Sequence, residues 1–252
     1  MSKIAFITGA SSGIGAACAR KFAQGGYTLL LNARTREKLQ ALKTELETTY
    51  GTDVLLLPFD VRDRKAAAEA ITTLPEKYQA IDVLVNNAGL ALGMDKEYAG
   101  MEADYDTMID TNITALLMIT RLVVPGMIAR GRGHIINIGS VAGDAAYPGG
   151  SVYCATKAAV KVLSDGLRMD LVDTPLRVTN VKPGLVETNF SVTRFGGDKE
   201  RADKVYQGIK PLTGEDIADV VYYAASAPAH VQIAEVLVLA THQASGSLVY
   251  RV

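Results

Sequence analysis

Short apolar segments recur along the whole chain, and each is followed by a stretch long enough to form a helix. Residues 3–8, 27–32, 53–59, 82–86, 134–138, 177–182 and 235–240 are rich in valine, isoleucine and leucine and are bounded by glycine, proline or polar residues. Runs of that length, apolar at consecutive positions, read as strands buried on both faces. Between them, residues 13–24, 37–50, 64–73, 104–130, 151–172 and 214–226 carry helical spacing, as with Ile14, Cys18 and Phe22 in the first and Leu39, Leu42 and Leu46 in the second. Gly25-Gly26 and Gly51 end those two segments. Strands separated throughout by helices pair side by side in parallel, with the helices covering both faces. The pattern predicts an α/β protein: one doubly wound parallel sheet of about seven strands, with no repeat, linker or second domain.

A length of 252 residues suits a single domain with a substantial core. Twenty-six basic against 27 acidic residues give a net charge of −1, which leaves no global field to draw nucleic acid or an anionic membrane. The longest apolar runs, 28–31 and 54–58, are too short to cross a bilayer, and the opening residues lead straight into a strand rather than a secretory leader. Cys18 and Cys154 provide neither a disulfide framework nor metal-ligand spacing. The expectation is a cytoplasmic globular protein without a metal. Residues 187–208 are polar and rich in charge and glycine, and they follow the carboxyl end of a strand, as a substrate lid would.

The first strand runs into Thr8-Gly9-Ala10-Ser11-Ser12-Gly13-Ile14-Gly15, where the first helix opens. Glycine serves there for a sharp turn, for close approach of backbone to a pyrophosphate and for tight packing of helix on strand, while the helix start offers free N–H groups to phosphate. Placed between strand and helix, the motif points to a dinucleotide. An acidic residue after the second strand would bond the 2′-hydroxyl of NAD and repel the 2′-phosphate of NADP. This chain has Ala33 and Arg34 instead, so the cofactor is predicted to be NADP(H), with the Arg34 fork on the phosphate. Asp60-Val61 closes the third strand, where the aspartate can accept from the adenine amino group or cap a helix. Asn86-Asn87-Ala88-Gly89 ends the fourth strand; its small residues let backbone pass under a flat ring, with Asn86 tying strands together and Asn87 facing the cofactor.

Tyr153 and Lys157 stand at i and i+4 near the start of a long helix and so share a face. An ammonium beside a phenol stabilises the phenolate, which turns tyrosine into a usable acid–base group. Ser140, after the fifth strand, can bond a substrate oxygen from the other side. Asn112 interrupts an apolar helix and can either hold a water on a proton path or bend the helix. All of these lie at carboxyl ends of a parallel sheet, the edge at which such folds bind ligands.

In Thr8-Gly9-x-x-x-Gly13-Ile14-Gly15, Asn86-Asn87-Ala88-Gly89, Asn112, Ser140, Tyr153-x-x-x-Lys157 and Pro183-Gly184, the sequence resembles the short-chain dehydrogenase/reductase family over essentially its whole length. The resemblance implies a Rossmann-like fold, Tyr153 as acid/base, Lys157 lowering its pKa and binding the nicotinamide ribose, Ser140 orienting the substrate oxygen, and Asn112 holding a relay water. It places the cofactor against Gly9, Ser11, Ser12, Gly13, Ile14, Gly15, Asp60, Val61, Asn87, Ala88, Gly89, Pro183, Gly184, Val186 and Thr188, and it implies a homotetramer. Narrower segments, among them 86–94, 108–112, 134–140 and 228–231, look like the NADP-dependent 3-hydroxy acid dehydrogenases, which oxidise serine, allo-threonine and related acids or reduce malonic semialdehyde.

A 3-hydroxy acid brings a carboxylate that needs a cation once desolvated. Arg194, on the expected lid, is the residue chosen for that role. Tyr147 and Gly149-Gly150 lie beside Tyr153 and are expected to line or open the pocket. Cys154 is assigned to packing, and Met94, Met101 and Met108 to apolar lining. The alternatives are a general carbonyl or 3-oxoacyl reductase on the same scaffold, and a nucleotide-binding regulator without turnover. Against acyl-carrier-protein chemistry, residues 235–243 depart from the Gly-rich ending of 3-oxoacyl reductases.

Overall fold

The computed structural model describes residues 2–252. Its seven strands are β1 (Ile4–Ile7), β2 (Thr28–Asn32), β3 (Val54–Leu57), β4 (Ile81–Asn86), β5 (His134–Ile138), β6 (Arg177–Pro183) and β7 (Glu235–Val238). They form one parallel sheet in the order β3-β2-β1-β4-β5-β6-β7. Side chains alternate across it. Ala5 and Ile7 join Leu29, Leu31, Val83 and Val85 in one core layer, while Ile4 and Phe6 join Leu30, Leu84 and Ile135 in the other. The central strands β1, β2 and β4 are therefore largely apolar and covered on both sides as expected, while β6 carries Thr179, Asn180 and Lys182 and the edge strand β7 is partly exposed.

The helices are α1 (Gly13–Gln24), α2 (Arg36–Tyr50), α3 (Arg64–Thr72), α4 (Glu102–Ile109), α5 (Ala115–Ala129), α6 (Ser151–Asp170), α7 (Phe190–Arg194), α8 (Lys199–Lys204) and α9 (Gly214–Ser226). Through Phe22, Leu39 and Ile217, α1, α2 and α9 fill the first layer. Ile71, Ile119, Val123 and Met127 of α3 and α5 fill the second. Side chains from α1 and α9 meet edge to face, Phe22 lying 5.5 Å from Tyr222 and 4.9 Å from Tyr27.

Two expectations need correction. Residues 102–129 wind as one helical stretch, but a π turn at Asp110–Thr114 divides it into α4 and α5. By length and composition this stretch could cross a membrane, contrary to the reading from short apolar runs; in the fold, Met108, Ala115, Ile119, Val123 and Met127 are buried. Residues 187–208, the expected lid segment, hold α7 and α8, with Gly196-Gly197 between them.

A buried polar chain ties the layers together. Asn86 Nδ2 donates to Thr120 Oγ1 and to Asn137 Oδ1, each at 2.9 Å, and Asn137 donates onward to Ser164 on α6. Asn86 thus links β4 to α5 and β5, the tying role expected of it.

His134, at the start of β5, is fully enclosed, with Nε2 on Thr179 Oγ1 at 2.8 Å. Burial, helped by the Arg177 charge, pushes its pKa down to about 3. The unfolded chain then binds this proton more readily than the folded one, so stability falls as pH drops from about 6.5 towards 3. Urea unfolding across that window is expected to show a slope that His134→Gln flattens; an unaltered slope would assign the loss to other groups.

Candidate active site

A cavity of about 780 Å³ opens along the carboxyl ends of the strands, where β1 and β4 part towards opposite halves of the sheet. Gly9 and Gly13 take φ of 65° and 52°, in the left-handed region. A Cβ on Gly9 would stand 2.9 Å from Ala88 Cα, and one on Gly15 would collide with the Gly9 carbonyl. Asn87 Nδ2 donates to the carbonyls of Thr8 and Gly9 at 2.9 and 3.1 Å, while Thr8 Oγ1 accepts from the N–H groups of Asn87 and Ala88, each at 3.0 Å. Strand ends and glycine turn are thereby locked to one another. Ser12 makes no side-chain cap on α1, which leaves the first-turn N–H groups facing the cavity beside Ser11, Gly13 and Ile14.

At the far end of the cavity, Arg34 is accompanied by Thr35, Lys38 and Arg62, with Ala33 carrying no charge. Val61 also lines this end. Asp60 is not a helix cap: Asp63 caps α3, accepting from the N–H groups of Lys65 and Ala66. The Asp60 carboxylate is instead gripped by Arg62, whose Nη2 lies at 2.7 Å, and this side-chain bond holds its pKa below the usual carboxylate range. Asn32 Nδ2 reaches across to the carbonyls of Leu57 and Phe59, both at 2.9 Å, and sets the β3 end against β2.

The reactive set converges as expected. Tyr153 and Lys157 both face the cavity from α6, and Ser140 faces them from the turn after β5. Lys157 Nζ donates to the Ile138 carbonyl at 2.8 Å and stands 6.0 Å from the Tyr153 ring centre. Burial brings its pKa down to about 8. Burial also pushes the Tyr153 phenol well above its ordinary value, and the Ser140 hydroxyl pulls it back. Asn112 sits in the π turn with both amide hydrogens used: Nδ2 donates to the Leu90 carbonyl and Thr156 Oγ1, and Oδ1 accepts from the Leu90 N–H with a second lone pair left over. These bonds brace α6 against the chain leaving β4.

Arg194 enters from α7. Its Nη1 donates to Tyr147 Oη at 2.8 Å and its Nε to the Gly93 carbonyl at 3.1 Å, while the Gly93 N–H returns a bond to the Arg194 carbonyl. The guanidinium lies 5.4 Å from the Tyr147 ring and 5.8 Å from that of Tyr153. Gly149-Gly150 is not a flexible opening: a Cβ on Gly150 would run into the Tyr147 ring, and Gly149 at φ 72° abuts Met94. Met94 lines the cavity, Met108 is buried and Met101 points to solvent. Cys154 packs beside Tyr153 as assigned.

Several contributors had no signal in the sequence. Gln243, beyond β7, is buried; its Oε1 accepts from the Leu185 N–H at 2.8 Å and its Nε2 donates to Ser245, which braces the Pro183-Gly184 wall. Val186 and Thr188, both already expected against the cofactor, continue that wall. Lys182 is buried between Asp144 at 2.8 Å and Glu235 at 2.7 Å, pinning the Ser140 turn to β7. Lys38, one helical turn beyond Arg34, adds a second cation to the nucleotide end.

This arrangement of glycine turn, phenol, ammonium and hydroxyl defines a dinucleotide-dependent oxidoreductase site. Residues 3–198 match the short chain dehydrogenase family, and the chain belongs to it. It is 48% identical over 246 residues to an NADP-dependent 3-hydroxy acid dehydrogenase of Salmonella typhi, covering 97% of this chain and 98% of that one. Sulfoacetaldehyde reductase 2 of Chromohalobacter salexigens is 45% identical, with 97% and 96% covered. Among solved structures, the closed form of serine dehydrogenase complexed with NADP+ superposes with a TM-score of 0.92 at 45% identity, covering 98% of this chain and 99% of that one.

Asn87→Ala removes both donors to the glycine turn and leaves two buried carbonyls unpaired. A loss of about 1–3 kcal/mol is expected in urea unfolding, with dinucleotide affinity weakened roughly tenfold by calorimetry. Unaltered affinity would show that the turn holds its shape without this clamp.

Proposed function

We propose that this NADP-dependent oxidoreductase of CH–OH groups acts on a small 3-hydroxy acid or the corresponding semialdehyde, of the serine, allo-threonine or 3-hydroxypropionate type. The observation that carries the substrate reading is Arg194. Two of its five N–H donors are bonded within the protein, and the residue lines the cavity with its guanidinium 5.8 Å from the Tyr153 ring, so that donors remain for an anion lying against that ring. A carboxylate two bonds from a carbinol carbon fits that spacing and that charge.

The dinucleotide supports the reading from the other end. The uncapped start of α1 suits a pyrophosphate, and Arg34 with Lys38 suits a 2′-phosphate. NADP(H), when bound, gives up or takes the hydride. Tyr153 supplies a proton from Oη to the developing alkoxide in reduction and removes it in oxidation. Ser140 Oγ holds the same substrate oxygen, and Lys157, fixed by Ile138, places a cation beneath the ribose and the phenol. We assign the lid role to α7, which brings Phe190, Ser191, Thr193 and Arg194 to the cavity and would shield it from water.

A second reading keeps the chemistry and changes the anion. A guanidinium receives a sulfonate as well as a carboxylate, and the 45% identity to a sulfoacetaldehyde reductase makes a sulfonated aldehyde the substrate to set against the acids.

An absorbance assay with NADPH or NADP+ is expected to show turnover of serine, 3-hydroxypropionate or malonic semialdehyde above that of acetoacetyl thioesters. Tyr153→Phe is expected to cut turnover by about 10² or more while retaining dinucleotide binding. Arg194→Ala is expected to raise KM for acids at least tenfold more than for neutral alcohols; equal effects on both would remove the carboxylate from the proposal, and a preference for sulfoacetaldehyde would favour the second reading.

The assembly is proposed to be a homotetramer. Leu117 and Ile128 on α5 and Val162 and Met169 on α6 expose apolar surface that a second copy can cover. Light scattering is expected to give four times the 26.8 kDa chain mass; a monomer at micromolar concentration would reject it.

A further inference from the structure

The Tyr153 phenol is enclosed by groups from four parts of the chain. α6 contributes Lys157 and Cys154, the turn after β5 contributes Ser140, the loop before α6 contributes Tyr147, and α7 contributes Arg194, with Phe190 packed at 5.6 Å from the ring. Two of these carry positive charge. They approach at similar distance, Lys157 Nζ at 6.0 Å and the Arg194 guanidinium at 5.8 Å from the ring centre. They differ in what holds them. Lys157 belongs to the same helix as Tyr153 and is anchored to the sheet through Ile138. Arg194 rides on the five-residue α7 and is seated by two bonds across the cavity, to Tyr147 Oη and to the Gly93 carbonyl.

We propose that Arg194 is a positioning residue that couples lid closure to proton transfer: seated on Tyr147 and Gly93, its guanidinium faces the catalytic phenol and favours the phenolate, so the acid–base group is activated when α7 covers the cavity. The inference rests on Tyr153 as the acid–base residue and is independent of which anion Arg194 binds. In oxidation the substrate hydroxyl gives its proton to the phenolate oxygen as the carbinol hydride leaves for NADP+; in reduction the phenol returns that proton as NADPH supplies the hydride.

Electrostatics support the geometry. Burial is the largest influence on the Tyr153 phenol and drives its pKa up; the Ser140 hydroxyl and the Arg194 charge lower it, and Tyr147 and Cys154 raise it. Burial also brings the Lys157 ammonium down to about 8, so its charge fades in the alkaline range. Guanidinium groups in proteins keep theirs. With the lid displaced, the phenol loses a permanent cation and gains water in its place.

The test uses a neutral substrate, a simple primary alcohol with NADP+, which keeps a substrate carboxylate from screening Arg194. The pH profile of kcat/KM is followed for the wild type, Arg194→Gln, Arg194→Lys and Tyr147→Phe. Arg194→Gln is expected to move the ascending limb to higher pH by about one unit or more; Arg194→Lys is expected to return most of that shift, and Tyr147→Phe, which loosens the seat but keeps the charge and also removes a hydroxyl that raises the phenol, to leave the limb closer to the wild type than Arg194→Gln does. A limb that stays in place in Arg194→Gln overturns the coupling, whatever happens to KM for acids. A displaced limb with unaltered KM for acids upholds the coupling and removes the carboxylate reading instead. Ultraviolet difference titration of the dinucleotide complex, wild type against Tyr153→Phe, gives the phenolate directly and is expected to shift with the limb; a phenolate that titrates alike in wild type and Arg194→Gln also overturns the coupling.

Discussion

The clamp between the ends of β1 and β4 is the contact on which the site depends. These two neighbouring strands are the ones after which the chain turns to opposite faces of the sheet, so their carboxyl ends must be held apart and yet in register. Thr8 and Asn87 achieve this with four bonds that use backbone on both sides. The glycine turn can then keep its left-handed residues, and the start of α1 stays aimed into the opening. Glycine at 9 and 15 follows from the same closeness, because any side chain there would enter the clamp.

A second constraint is the burial of charge. Tyr153 and Lys157 are both enclosed, and enclosure alone disfavours phenolate and ammonium. The protein answers with polar and charged groups from elements that arrive from different directions: Ile138 from the sheet, Ser140 from a turn, Arg194 from α7. Asn112 and Lys182 add support, each fixing a segment of the site through buried polar contacts.

The sheet and most of the reactive set were legible in the sequence because their signals are local. Apolar runs of four to seven residues mark the strands, glycines mark a turn, and Tyr153 and Lys157 share a helix face by spacing alone. What stayed hidden depends on residues far apart along the chain. Gln243 meets Leu185, Lys182 meets Asp144 and Glu235, and Arg194 meets Gly93 and Tyr147. No helix was read in residues 187–208, because α7 and α8 have five and six residues, too few for helical spacing to register. Asp60 was open to two readings, and its pairing with Arg62 two positions away settles against the cap.

The π turn at Asp110–Thr114 also has a consequence for how this scaffold tolerates change in length. A helix that widens by one residue and then resumes its winding carries a surplus position, the trace an insertion leaves. Deleting one residue within it would restore ordinary pitch and leave α4 and α5 in the relation they have now, because the wide turn is what absorbs the extra position. The change would stay within the turn, where Asn112 would lose the placement from which it reaches Leu90 and Thr156. Chain length can therefore vary at this point without swinging the apolar stripe of α5 off the sheet, and what is lost is the brace.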